Sequence, residues 1–152
     1  MKGLKQLTAA QKWTALLSIL TSLLGLANLG RAGMALLYSA RLPRLPTTMS
    51  LNYLAAVGAF WGVIFIVCTV SLSCFLSWGR WLTLAAVTFY QAHVWANHLL
   101  FDASHYARQT YARDLVLTLV FLLLFWGSLN HPRIRKTFRG DSESHISRLR
   151  PD

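Results

Sequence analysis

The chain has 152 residues, 55% of them hydrophobic and only 13% charged, with a formal net charge of +10. An average soluble domain is about 45–50% apolar and about 25% charged. The apolar excess falls in four blocks, each long enough to cross a bilayer, which excludes an ordinary soluble globular domain. The positive charge sits in loops and ends that flank these blocks, so it does not point to nucleic acid.

No polar stretch is long enough for a second domain, so one compact unit is expected. The expected fold class is all-α: a polytopic integral membrane protein, built as a four-transmembrane-helix antiparallel bundle. A cytoplasmic segment of residues 1–12 precedes a membrane domain of residues 13–130, and residues 131–152 form a basic cytoplasmic tail, partly disordered. Lys2, Lys5 and Lys12 before an apolar run give the general form of a signal peptide. The run exceeds an h-region of about 7–15 residues and no small-x-small site follows, so a retained first crossing is expected.

The first crossing covers residues 13–38, with Lys12 and Trp13 at an interface. About 20 residues span the hydrocarbon, so the crossing is nearly complete at Arg31, which can snorkel. Pro43 and Pro46 stop the helix in the loop that follows. The second crossing covers residues 51–78, with Ser50 as N-cap and Tyr53 and Trp78 as anchors. Gly79-Arg80 then reads as a very short turn into a third crossing over residues 81–101, which forces a hairpin. Residues 111–130 form the fourth crossing, stopped by His131-Pro132. Cys68 and Cys74 lie six apart on one presumed helix and point about 120° apart, so they read as unpaired buried thiols.

Lys and Arg set the orientation. Both termini and the second turn carry ten of them, against five in the other two loops and their flanks. That predicts N- and C-termini in the cytoplasm and a multi-pass protein of the cell membrane. The strongly polar residues then gather in the outer halves: Asn28 and Arg31, Asn52 and Tyr53, Asp114, and a run on the third crossing. There Tyr90, His93 and Asn97 share one strip, while Gln91, His98, Asp102 and His105 share its neighbour. Such a face must be turned to protein or water. The opposite side carries Ala92-x-x-x-Ala96, and the second crossing carries Ala55-x-x-x-Ala59 and Gly58-x-x-x-Gly62, which predicts that these faces form packing seams.

The preferred function is a small non-enzymatic integral membrane protein acting by association, as an accessory subunit of a membrane complex or a homo-oligomer. The alternative is small-molecule transport or sensing through a pocket of Arg31, Tyr90, His93, Asn97, His98 and Asp102. A third reading is a metal or redox-cofactor protein, since His98, Asp102 and His105 at i, i+4 and i+7 could face one ion. Arg31 has Asp102 and Asp114 as candidate partners, and His93 has Asn97. A haem within one subunit needs histidines at matching depth on two helices, and only the third crossing supplies intramembrane histidines, so no cofactor is expected. Trp13, Trp78, Trp81 and Trp126 read as interface anchors, while Trp61 and Trp95 lie deeper. The tail from Arg133 to Arg139 should lie on anionic headgroups. Gly-rich phosphate loops, nucleophile elbows and CxxC pairs are absent from the sequence, as is a clear inverted repeat.

Overall fold

The structure is a computed structural model that describes residues 8–41, 50–101, 105–135 and 138. Among these residues it holds four α-helices and no strand: α1 (Ala9–Arg41), α2 (Leu51–Ser73), α3 (Ser77–Phe101) and α4 (His105–Asn130). Three stretches are long and apolar enough to cross a membrane: α1, α2 and Tyr111–Asn130 of α4. By length and composition this is an all-helical membrane protein. Helix α3 has the length, at 25 residues, but Gln91, His93, Asn97 and His98 lower its apolarity.

Local chemistry explains the helix ends. Thr8 and Gln11 form a reciprocal capping box: the Thr8 amide donates to Gln11 Oε1 (2.9 Å) and the Gln11 amide to Thr8 Oγ1 (3.3 Å). It starts α1 four residues before the expected position. Ser50 caps α2 as the sequence implies, accepting from the Tyr53 amide at 3.2 Å.

The turn between α2 and α3 is not at Gly79-Arg80. Helix α2 ends at Ser73, and Phe75 adopts the left-handed conformation with φ 52°. The Phe75 amide donates to Leu72 O and the Leu76 amide to Ser71 O, the paired bonds of a Schellman closure. A non-glycine residue there costs about 1–2 kcal/mol, and the Phe75 ring offsets it by packing on Phe138, centroids 6.0 Å apart. Gly79 serves a different need: a Cβ there would lie 2.6 Å from the Ser71 side chain. It lets the first turn of α3 rest on the last turn of α2. Cys74, expected buried, caps α2 and is exposed, whereas Cys68 is buried.

Helix α1 packs most extensively on α2, antiparallel to it. The buried positions on α1 are Thr14, Leu17, Ser18, Thr21, Gly25, Asn28, Ala32 and Ala35. Apart from Leu17 they step by four and three residues, a 3.5-residue period that keeps one narrow seam on the partner. The seam is made of small and hydroxyl-bearing side chains, which let two backbones approach closely. Gly58 meets Asn28 O and Ala32, and Gly62 meets Leu29 and Gly25 O. Toward the chain-terminal end the seam becomes polar: Ser18 Oγ lies 2.8 Å from Ser73 Oγ, and Thr69 Oγ1 lies 3.3 Å from Thr21 Oγ1. Thr21 and Thr69 also donate to carbonyls of their own helices, so each hydroxyl is satisfied away from water.

The small faces therefore serve α1 and α2 rather than α2 and α3. Ala92 and Ala96, expected to form a seam, are exposed together with Phe89, Leu99 and Leu100. Helix α4 is attached more thinly. Trp95 Nε1 donates to Thr118 Oγ1 and Trp126 Nε1 to Thr88 Oγ1, both at 3.1 Å, binding α4 to α3 near two depths. Ala9, Ala10 and Trp13 meet Gly127, Ser128 and Ile134 around one surface pocket, so α1 begins and α4 ends at the same end of the bundle. Helix α4 stops at Asn130, before His131-Pro132, and Ile134 and Phe138 beyond it are buried.

The seam predicts an asymmetry between glycines. Gly58→Ala forces a methyl to within 2.9 Å of a backbone carbonyl, whereas Gly30 has nothing within 4 Å. Overpacking of this kind costs about 1–3 kcal/mol. Thermal denaturation in mild detergent should show a clear loss for Gly58→Ala and little change for Gly30→Ala.

Candidate functional site

At the end of the bundle away from the chain termini, α1, α2 and α3 enclose a cleft of about 590 Å³. Asn28 lies at its base, 5% exposed, on the same seam that joins α1 to α2. Asn28 Nδ2 donates to Leu24 O at 2.9 Å and reaches Tyr90 Oη at 3.4 Å, linking α1 to α3. The second distance is long for a hydrogen bond and marks a weak one.

Aromatic packing holds the α2–α3 side. The Trp61 ring meets Tyr90 edge-to-face at 5.3 Å, Tyr90 meets Phe65 at 5.1 Å, and Trp61 lies 6.0 Å from His93. Such geometry suits the ring quadrupoles and fixes Tyr90 and His93 against α2. One turn further along α3, Asn97 Nδ2 and His93 Nε2 are 2.8 Å apart. This contact ties the two side chains together on one face of α3.

Arg31, Tyr90, His93 and Asn97 all line this cleft, as the sequence pattern expects of a shared pocket. His98 does not. Its ring faces α4, stacked near Tyr111 with centroids 6.2 Å apart and edge-on to Trp95 at 5.8 Å. The 100° step between Asn97 and His98 sends one to α1 and α2 and the other to α4. Asp102 lies outside the described residues, as does the side chain of His105. The metal reading therefore falls on residues outside those described. Among the described residues no three His, Cys, Asp or Glu stand together.

Arg31 does not pair with Asp114, whose carboxylate accepts from Arg113 Nε at 3.0 Å. Among the described residues Arg31 has no ion-pair partner and is the one charged side chain lining the cleft. The lining adds Tyr38 and Tyr53, and an apolar body of Met34, Leu54, Val57 and Val94. The sequence left Asn28, Tyr53 and Trp61 out of the pocket, although Asn28 and Tyr90 fall at one depth of an antiparallel arrangement. Chemically the cleft offers a cation, hydroxyls, an amide and an imidazole beside apolar walls. It suits a molecule with an acidic or acceptor-rich head and a hydrophobic body.

No family model, curated protein or solved structure matches the chain.

Two substitutions at Tyr90 separate the ring from the hydroxyl. Tyr90→Phe removes only the long contact to Asn28 and should change unfolding stability by less than about 1 kcal/mol. Tyr90→Ala removes the ring packed on Trp61 and Phe65 and should cost about 3–5 kcal/mol. Denaturation of the detergent-solubilised variants reads the difference.

Proposed function

We propose that the protein is a four-span, non-enzymatic protein of the cell membrane with both termini cytoplasmic, and that its outer cleft binds a small amphipathic anion for transport or sensing. The observation that carries the ligand is the convergence of Arg31, Tyr90, His93 and Asn97 on one cleft, with no carboxylate among the described residues of its lining. A cation beside apolar walls and without an acidic partner favours a negatively charged head.

The fourth span is supported by the sidedness of α3. Its outward face is Trp81, Ala85, Phe89, Ala92, Ala96, Leu99 and Leu100, while Tyr90, Gln91, His93, Asn97 and His98 are half-buried. Lipid accepts the first set, and in the second Tyr90, His93, Asn97 and His98 find partners within the bundle. The ten-to-five bias of Lys and Arg supports the orientation.

Association with another membrane protein is the second reading. It is favoured by α4, whose apolar stretch is only 11% buried, and by Gly30, Gly33 and Gly127, which meet nothing within 4 Å. Close helix contact is what open glycines permit.

Purification in mild detergent followed by mass spectrometry of what remains bound tests both readings. A bound small molecule that disappears in Arg31→Gln and in Asn97→Leu, with expression unchanged, supports the cleft. A stoichiometric protein partner and an empty cleft would replace it with association. Topology has a native reporter in exposed Cys74. A membrane-impermeant maleimide should label Cys74 only from the cytoplasmic side, and a cysteine introduced at Thr47 only from outside. Labelling of both from one side would refute the arrangement.

A further inference from the structure

The end of the bundle opposite the cleft holds an unanswered charge. Arg80, in the first turn of α3, is 7% exposed, and its Nη1 is shut off from solvent without a hydrogen-bond partner. Its guanidinium carbon stands 4.8 Å from the Trp81 ring centroid, a face that attracts the cation but accepts no N–H bond in the usual sense. Arg135, in the helical turn that follows α4, is close enough to repel it. A buried cation beside a second cation is unfavourable unless an anion joins them.

The chain offers little to fill that role. It has five acidic residues. Asp114 belongs to the opposite end and pairs with Arg113, and Asp102 follows the far end of α3. Asp141, Glu143 and Asp152 lie in a tail that brings six Lys and Arg with it from Arg133 onward. Trp78 and Trp81 flank Arg80 and are outward-facing, at 51% and 59% exposure. Tryptophans in that setting sit at headgroup depth, where phosphate is abundant.

We infer that Arg80 and Arg135 form a binding site for a phosphate oxyanion, carried by an acidic phospholipid at the cytoplasmic interface. The planar guanidinium of Arg80 offers parallel N–H donors to two phosphate oxygens, and exposed Arg135 supplies the second charge. With the Arg80 side chain turned toward the headgroups, the phosphate answers the orphaned Nη1 and turns the repulsion between the two arginines into a shared attraction. The site is independent of the outer cleft and of whatever the cleft binds.

The test uses the full chain in nanodiscs of phosphatidylcholine, with or without phosphatidylglycerol, at constant ionic strength. Native mass spectrometry reads the lipids retained, and thermal unfolding reads stability. Wild type should retain phosphatidylglycerol over phosphatidylcholine about fivefold better than Arg80→Gln or Arg135→Gln, the worth of one cation at the surface. Arg80→Lys should recover only part, since it keeps the charge and loses the fork. Arg150→Gln, near the C-terminal end of the sequence, should behave as wild type. Exposed Arg135 carries the test if Arg80→Gln does not fold. Inorganic phosphate that stabilises wild type but not Arg135→Gln in phosphatidylcholine alone would keep the oxyanion site and assign it to free phosphate. Equal preference for phosphatidylglycerol in all variants would overturn the inference. So would Asp141→Asn with Glu143→Gln reproducing the loss, because an internal carboxylate would then be the counter-charge.

Discussion

Close approach of α1 and α2 is the constraint on which the other features depend. Gly25, Gly58 and Gly62 bring the two backbones together, with Ala32 opposite Gly58. That contact fixes the position of Asn28, which forms the base of the cleft and reaches Tyr90 on α3. A wider separation of the two helices would open the base and leave the Asn28 amide without its neighbour. The hydroxyls of Ser18, Thr21, Thr69 and Ser73 continue the same seam toward the chain ends. Hydrogen bonds of this kind contribute about 0.6 kcal/mol each on average in a membrane protein, so they set register more than they add stability.

Along α1 the side chains turned inward are mostly small or polar, and those turned outward are large and apolar. Leu16, Ile19, Leu23 and Leu26 of α1 are exposed, while Thr14, Ser18 and Thr21 are buried. In water that arrangement would be unfavourable. In lipid the outward side chains find a solvent like themselves, and packing falls to residues that permit close contact. Much of this was legible in the sequence. The four helical blocks, the Ser50 cap and the shared strip of Tyr90, His93 and Asn97 follow from composition and a 3.6-residue period. Other parts were harder to read. A search for apolar stripes passes over α1 because its buried stripe is made of Thr, Ser, Gly, Asn and Ala. The 3.5-residue spacing of those residues was the available signal. Gly79 was misread as a turn because close approach and chain reversal both call for glycine, and only the position of Ser71 distinguishes them. The split between Asn97 and His98 needed the location of α4, which no pattern within α3 contains.

The two ends of the bundle differ in kind. At one end the cleft gathers neutral donors and acceptors around Arg31, the one charged side chain among its described lining residues. The other end buries a cation, Arg80, against the ring of Trp81. This polarity is a property of the side-chain distribution and does not depend on which ligand the cleft accepts.

The reversal at Phe75 bears on how such a chain enters a bilayer. Helix α3 carries too many hydrogen-bonding side chains to leave water readily by itself, since each charged or strongly polar residue near a helix centre opposes insertion. Only Cys74, Phe75 and Leu76 separate it from α2, which has the highest apolarity of the four helices. In a four-span arrangement the two helices are delivered together, and α2 supplies the partition energy that α3 lacks. Lengthening that connection would uncouple their entry and leave α3 stranded at the surface during biogenesis.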